Sequence, residues 1–378
     1  MEVPVVRPGD GDRLHASSPG VDARILSRIR PAVPAPTRLG GNGRIGYLLP
    51  VATYRPEPTM RIAEPRPEDF SSPLLACMRA PRPRFLLAAV VPMLVGLGWV
   101  VHNGHELDLP AAIGTLLAGV LMNAAINLYN DYQDDLNGTD RRNEERVYPF
   151  TGGSRFIQNG ILGRGQVLAL AVTLFLTTIA LGLWLSTYAG PGLIGLGLFG
   201  LLLGWGYSAP PLRFNSRGLG ELAVFTGFGL LPSGAWLVQC GQWSKDLLLV
   251  SLPIGLLCAL LLYVNQFPDR RADLGAGKLT LVARLGPTRA RWGYPLLAGA
   301  ALLLHLLLVA SGRLPLPGLI ALLPAPLFLY AARCLFRHAD EPVKLTPALA
   351  MTIVAVLGYG LLLSIVLFST AAHSTHPG

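Results

Sequence analysis

Nine apolar blocks, each about 17 to 23 residues long and almost free of charge, leave this chain little choice of fold, because that length crosses a hydrocarbon core of roughly 30 Å as a helix. They run at about 85–101, 110–130, 165–187, 192–208, 219–238, 247–265, 292–310, 315–333 and 347–369. Helices satisfy their backbone groups internally, as lipid requires. The expected fold is all-α, a polytopic transmembrane helical bundle of about nine helices. Only 14% of the residues are charged, well under the roughly one quarter of a soluble domain. Pro92, Gly195, Gly197, Gly227, Gly229, Pro253, Pro324 and Pro326 fall inside the blocks. Membrane helices tolerate such residues where neighbours satisfy the freed groups, and small residues let helices approach closely.

Residues 1–72 are rich in Pro, Gly and Arg and have no sustained apolar period. They cannot bury enough surface to offset ordering entropy, and are expected to form a disordered tail. They lack the charged, apolar and small-residue succession of a signal peptide. The text MRIAEPRPEDF leads from Met60 straight toward the first span, so a translation start at Met60 is a further expectation. Residues 73–370 form the transmembrane domain and 371–378 a short tail.

The net charge of +9 is no sign of nucleic-acid binding, since the basic residues lie between apolar blocks without an aromatic-interleaved patch. They report topology instead, because Lys and Arg accumulate on the cytoplasmic side. Loops after even-numbered spans hold Arg141, Arg142, Arg146, Arg155 and Arg164, then Arg213 and Arg217, then Arg270, Arg271, Lys278, Arg284, Arg289 and Arg291, then Arg333, Arg337 and Lys344. The opposite loops hold Lys245 and Arg313. With Arg79, Arg82 and Arg84 before the first span, the N-terminus lies inside and, nine being odd, the C-terminus outside. A bacterial inner (plasma) membrane is the expected location, and no obligate protein partner is evident. Cys77, Cys240, Cys258 and Cys334 show neither a CxxC pair nor metal-ligand spacing and are read as packing residues.

The chemistry lies at the inner ends of two spans. The second runs into NAAINLYNDYQDDLNGTD, which holds Asn127, Asn130, Asp131, Asp134 and Asp135. Spacings of three and four share a helix face, so Asn127, Asp131 and Asp134 form a polar stripe that begins inside the membrane. The sixth span ends in YVNQFPDRRADLGAGKLTL, with Asn265, Asp269 and Asp273 on a like stripe and Pro268 as a distortion of that turn. Ionisable groups at membrane depth are costly and point to function. Two such stripes on one side of the bilayer predict a shared site. Its carboxylates would repel one another without a cation between them. Oxygen-only ligands suit a hard ion, and Mg²⁺ uses few carboxylates together with substrate phosphates and water. The expected cofactor is Mg²⁺, carried with a diphosphate, and Lys278 and Arg155 stand where they would neutralise phosphate charge. An ion-coupled transporter is the competing class, though transporter sites favour the midplane. The text GAGK at 275–278 lacks P-loop spacing. His102 and His105 are read as solvated, and His305 as hydrogen-bonded inside the bundle.

NDYQDDLNGTD and NQFPDRRADLGAGKLTLVARLG resemble the two Asp-rich motifs of the UbiA superfamily of intramembrane prenyltransferases. YSAPPLRFNSRGLGE is similar to the family's loop between the fourth and fifth helices, and RPRFLLAAVVPMLVG, which contains Arg82, to its first helix. The resemblance covers about residues 79–369. Within it, NDYxDxxxGxD followed by FTGGSRFIQNGIL resembles the branch that prenylates 1,4-dihydroxy-2-naphthoate in menaquinone biosynthesis. Asp135 is an extra carboxylate, and Pro268 stands where the family often has a basic residue.

The resemblance implies a Mg²⁺-dependent transferase that moves a polyprenyl group from a polyprenyl diphosphate to an aromatic acceptor within the lipid bilayer. With 1,4-dihydroxy-2-naphthoate, loss of carbon dioxide would give demethylmenaquinone; hydroxybenzoate, homogentisate or glycerol phosphate are the alternative acceptors. It implies that Asp131, Asp134, Asp269 and Asp273 hold the metal, and that Lys278 and Arg155 spread the charge growing on the diphosphate. Asn127, Asn130 and Asn265 would orient phosphate or metal-bound water, Tyr207 and Ser208 would line the pocket, and Arg82 would bind substrate. Tyr207 reads equally well as an interfacial anchor. The glycines of spans four and five serve either a lateral passage for the isoprenoid tail or helix packing.

Overall fold

The computed structural model describes residues 62–370 of the chain. Among them, nine helical spans are long and apolar enough to cross a membrane. A 3-10 turn at Pro67–Asp69 and a short α1 (Pro73–Arg79) lead into α2 (Pro83–His102), α3 (Leu109–Asn137) and α4 (Thr139–Arg142). A long loop at 143–163 precedes α5 (Arg164–Ala189), α6 (Pro191–Ser208) and α7 (Gly220–Cys240). α8 (Lys245–Val250) and α9 (Leu252–Gly275) form the sixth span, followed by α10 (Leu281–Leu285) and α11 (Pro287–Ala290). α12 (Gly293–Ala310), α13 (Ala325–His338) and α14 (Thr346–Ser369) complete the bundle.

Lipid supplies no hydrophobic force between helices, so close fit decides their packing. Gly96 of α2 meets α7 so closely that an added Cβ would stand 2.4 Å from the Pro232 carbonyl oxygen. At Gly360 of α14 it would stand 2.1 Å from Val91. α9 forms the centre, with Ile254, Leu257, Leu260 and Val264 fully buried. His305 is buried and hydrogen-bonded through both ring nitrogens, to the Tyr359 hydroxyl at 2.8 Å and the Gly318 carbonyl at 3.0 Å.

The helices that carry the acidic stripes outlast their apolar text. Asp108 caps α3 by accepting from the Ala111 amide at 2.9 Å, and Gly138, with φ +80°, ends it. Its 29 residues make a rod about 44 Å long at 1.5 Å per residue, well beyond the hydrocarbon core. α9 likewise runs to Gly275, so its helix continues through Pro268 rather than breaking there. The sixth span is instead interrupted at Ser251, between α8 and α9, and the eighth is a 3-10 turn at Leu316–Leu322 followed by α13.

Residues 62–72, assigned from sequence to the tail, pack on the domain. The Phe70 ring meets Phe156 edge-on at 5.2 Å, and the Arg146 guanidinium donates to Glu64 Oε1 at 2.6 Å. The rest of the expected tail, the Met60 start and residues 371–378 lie outside the described residues. His102 is not simply solvated, because its Nδ1 lies 2.8 Å from the Thr370 carbonyl, and His105 stacks edge-on against Trp236.

Candidate active site

The two acidic stripes converge on one chamber of about 330 Å³. α3 contributes Asn127, Asn130 and Asp134, α9 contributes Asn265, Asp269 and Asp273, and Arg82, Tyr207 and Lys278 complete the polar part. The helical spacing read from the sequence explains how each helix delivers its set, since residues three or four apart share a face. Three predicted residues stand behind this wall. Asp131 is buried, with Oδ1 3.5 Å from Arg82 Nη2 and Oδ2 accepting from the Ser154 amide at 3.2 Å. Ser208 accepts from Asn130 Nδ2 at 2.9 Å and Asn215 Nδ2 at 3.4 Å. Arg155 does not line the chamber, because its Nη1 donates to the Asp140 carbonyl at 2.6 Å and its Nε lies 3.6 Å from Glu64 Oε2.

Lys278 joins the motifs. α9 ends at Gly275, Gly277 takes φ +73°, and the Lys278 amide donates back to the Asp273 carbonyl at 2.8 Å. That turn brings the ammonium 3.0 Å from Asp134 Oδ2 and 3.4 Å from Asp273 Oδ1. Burial alone would lower the Lys278 ammonium pKa, but the carboxylates of Asp134 and Asp273 hold it well above its ordinary value. The turn is fixed from behind: the Val282 amide donates to Gln266 Oε1 at 3.2 Å, and Gln266 Nε2 donates to Glu221 Oε1 at 2.6 Å.

Asp135 points elsewhere. Its buried carboxylate pairs with Arg164 at 2.5 Å and Arg141 at 3.1 Å, fastening the end of α3 to the start of α5. Asp140 was not singled out in the sequence, yet it is buried and lines the chamber. Burial, reinforced by Asp134 and Asp131, pushes its carboxyl well above the usual carboxylate range. The final Asp of NDYQDDLNGTD was its signal, because Gly138 turns the chain back toward the stripe. Asn143 was also missed; its Nδ2 donates to Asp269 Oδ1 at 2.6 Å. Gly153 is required where it stands: φ is +72°, and an added Cβ would lie 2.6 Å from Asp140 Oδ2 and 3.2 Å from Asp131 Oδ1.

Among the described residues no three His, Cys, Asp or Glu side chains are gathered tightly enough to enclose a metal ion. Mg²⁺ keeps water and substrate phosphate as ligands beside a few carboxylates. The donor set fits such an ion. Five carboxylates surround one lysine and one arginine, and the buried Oδ1 atoms of Asn143 and Asn265 have no hydrogen-bond partner among the described residues. Carboxamide oxygens at a chamber wall are acceptors for the water of a hydrated cation.

A second chamber of about 240 Å³, lined almost wholly by apolar residues of α3, α5, α6 and α7, shares Gly119, Met122, Gly200 and Gly227 with the first. At Gly200 and Gly227 an added Cβ would meet nothing within 4 Å. These two glycines border open space, whereas Gly96 and Gly360 serve contact.

Fold and site define an integral membrane enzyme with an acidic, oxygen-rich chamber that shares lining residues with an apolar one. Residues 89–354 match the UbiA prenyltransferase family, and the chain belongs to it. It is 30% identical over 301 residues to the 1,4-dihydroxy-2-naphthoate octaprenyltransferase of Escherichia coli K12, spanning 78% of this chain and 95% of that one. It is 31% identical over 285 residues to the protein of the same name from Mycobacterium tuberculosis, covering 74% and 92%. The fold is similar to that of a UbiA homolog from Archaeoglobus fulgidus bound to GPP and Mg²⁺, with TM-score 0.53 at 16% identity, over 77% of this chain and 99% of that one. The chain is thus a prenyltransferase rather than a carrier.

Proposed function

We propose that the chain transfers a polyprenyl group from a polyprenyl diphosphate to 1,4-dihydroxy-2-naphthoate, in menaquinone biosynthesis. The observation that carries the reading is the meeting of the Asp134 and Asp273 stripes around Lys278 at the mouth of an apolar chamber. The names of the E. coli and M. tuberculosis relatives favour this acceptor over the others.

In this reading Asp131, Asp134, Asp269 and Asp273 hold Mg²⁺, directly or through water. Bound there, the ion supplies Lewis-acid neutralisation of the diphosphate. Lys278 and Arg82 bring fixed positive charge to the oxygens that gain negative charge as the C1–O bond breaks, in a preorganised site. Asn127 and Asn130 are held in place by the Pro81 carbonyl and the Ser208 hydroxyl, which keeps them set for polar substrate atoms. The electron pair of the breaking bond leaves with diphosphate. The naphthoate carbon bearing the carboxylate forms the new bond to C1 and releases carbon dioxide, giving the reduced form of demethylmenaquinone. The tail occupies the second chamber, past Gly200 and Gly227. Arg141, Arg142, Arg270 and Arg271 near the acidic ends support a cytoplasmic active site with the N-terminus inside and the C-terminus outside, in a bacterial plasma membrane.

The test supplies the purified protein with radiolabelled polyprenyl diphosphate and Mg²⁺, offering 1,4-dihydroxy-2-naphthoate and 4-hydroxybenzoate in parallel, with and without EDTA. EDTA-sensitive label in prenylated naphthalenediol is the expected result. Transfer to hydroxybenzoate alone would overturn the acceptor, and no transfer with any metal would overturn the reaction.

A further inference from the structure

We infer that Glu64 is a positioning residue for the acidic chamber, holding through Arg146 and Arg155 the loop that orients both aspartate motifs. It lies outside residues 89–354, the stretch that matches the family. The inference rests on the reading of the chamber as a metal–diphosphate site.

The loop at 143–163 carries little secondary structure of its own, yet it touches both motifs. Ser154 donates its amide to Asp131, and Asn143 donates its side-chain amide to Asp269. Two arginines hold this loop to itself and to the end of α4. Arg146 Nη1 donates to the Asn143 carbonyl, and Arg155 Nη1 donates to the Asp140 carbonyl at 2.6 Å. Both guanidinium groups converge on one anion. Glu64 Oε1 accepts from Arg146 Nε at 2.6 Å, while Oε2 lies 3.6 Å from Arg155 Nε and 3.4 Å from its donor Asn159 Nδ2. Asn159 also donates to the Pro65 carbonyl at 2.8 Å, so the loop grips the segment at two adjacent residues.

Arg155 is nearly fully buried and sits at φ +68°, a left-handed conformation that a non-glycine residue adopts only where its surroundings hold it. Removing Glu64 would leave two close guanidinium groups facing each other without their shared counter-ion, and the cheapest relief is movement of the loop. That movement would be passed to Asn143 and Ser154, and so to Asp269 and Asp131. Arrangement of ligands by residues that do not touch the metal is worth about 10- to 100-fold in metal affinity.

The test uses the full chain in detergent and reads Mn²⁺ binding by electron paramagnetic resonance in the presence of inorganic diphosphate, beside the Mg²⁺ dependence of turnover. Glu64→Ala and Glu64→Gln are expected to weaken Mn²⁺ binding about tenfold, and Glu64→Asp, which keeps the charge, to recover part of it. Phe70→Ala removes the other anchor of the same segment, its ring contact with Phe156, and is expected to lower Tm while leaving Mn²⁺ affinity unchanged. Unaltered Mn²⁺ affinity in Glu64→Ala or Glu64→Gln would overturn the inference alone, as would equal weakening by Phe70→Ala. No Mn²⁺ binding by the unsubstituted protein would overturn the reading of the chamber and the inference with it.

Discussion

Lys278 Nζ lies 3.0 Å from Asp134 Oδ2, a contact between residues 144 apart in sequence. The same ammonium reaches Asp273 at 3.4 Å, so one cation closes the gap between the two halves of the site. A like-charged pair at this depth needs such a partner.

Lys278→Met therefore has two effects. Removing one partner of a buried ion pair costs about 3 kcal/mol, and losing one charge at the leaving group lowers kcat about a hundredfold. Thermal unfolding in detergent checks the first. Mg²⁺ with diphosphate should return part of the lost Tm, because the carboxylates regain a counter-charge.

The carboxylates of α3 separate by role. Asp131→Asn and Asp269→Asn should abolish turnover with Tm near that of the parent, each removing a formal ligand charge. Asp135→Asn should do the reverse: it weakens charge-assisted bonds to Arg141 and Arg164, costs about 2 kcal/mol, and leaves the Mg²⁺ dependence of the remaining activity unchanged. Parallel assays and melting curves of the three variants distinguish the roles.

Gly200 and Gly227 border both chambers with open space at the Cβ position. Gly227→Leu should fill that space and shift the preference between a long and a ten-carbon donor diphosphate by about tenfold in kcat/KM toward the short one. Competition between the two donors, with products separated by chromatography, reads the ratio directly. Gly96→Leu, at a packed contact, should instead lower Tm.

Helical spacing made the stripes of α3 and α9 legible, because their side chains share a face before any tertiary contact exists. The same rule places Asp134 on the stripe but gives no role to Asp135. Both are neighbours of Asp131, and the distant Arg164 decides which turns away. Charge and position make Arg155 a phosphate ligand in the sequence, whereas in the fold its guanidinium is engaged by Glu64 and the Asp140 backbone. Asn143 and Ser154 carried no periodic signal, since a loop has none and its contacts arise only when α3 and α9 stand together. Asp140 was hidden by the turn at Gly138, after which counting along the helix no longer describes direction.

α3 is longer than a hydrocarbon core is thick and carries its carboxylates near its C-terminal end, while the second chamber lies among apolar turns of α3, α5, α6 and α7. Under the proposed reaction the products are therefore sorted by solvent. Diphosphate, multiply charged, departs to water, carbon dioxide diffuses away, and the prenylated ring departs to lipid. Transfer in the reverse direction would need all of them to return from different phases to one site, so partition adds to the loss of carbon dioxide in driving the chemistry forward.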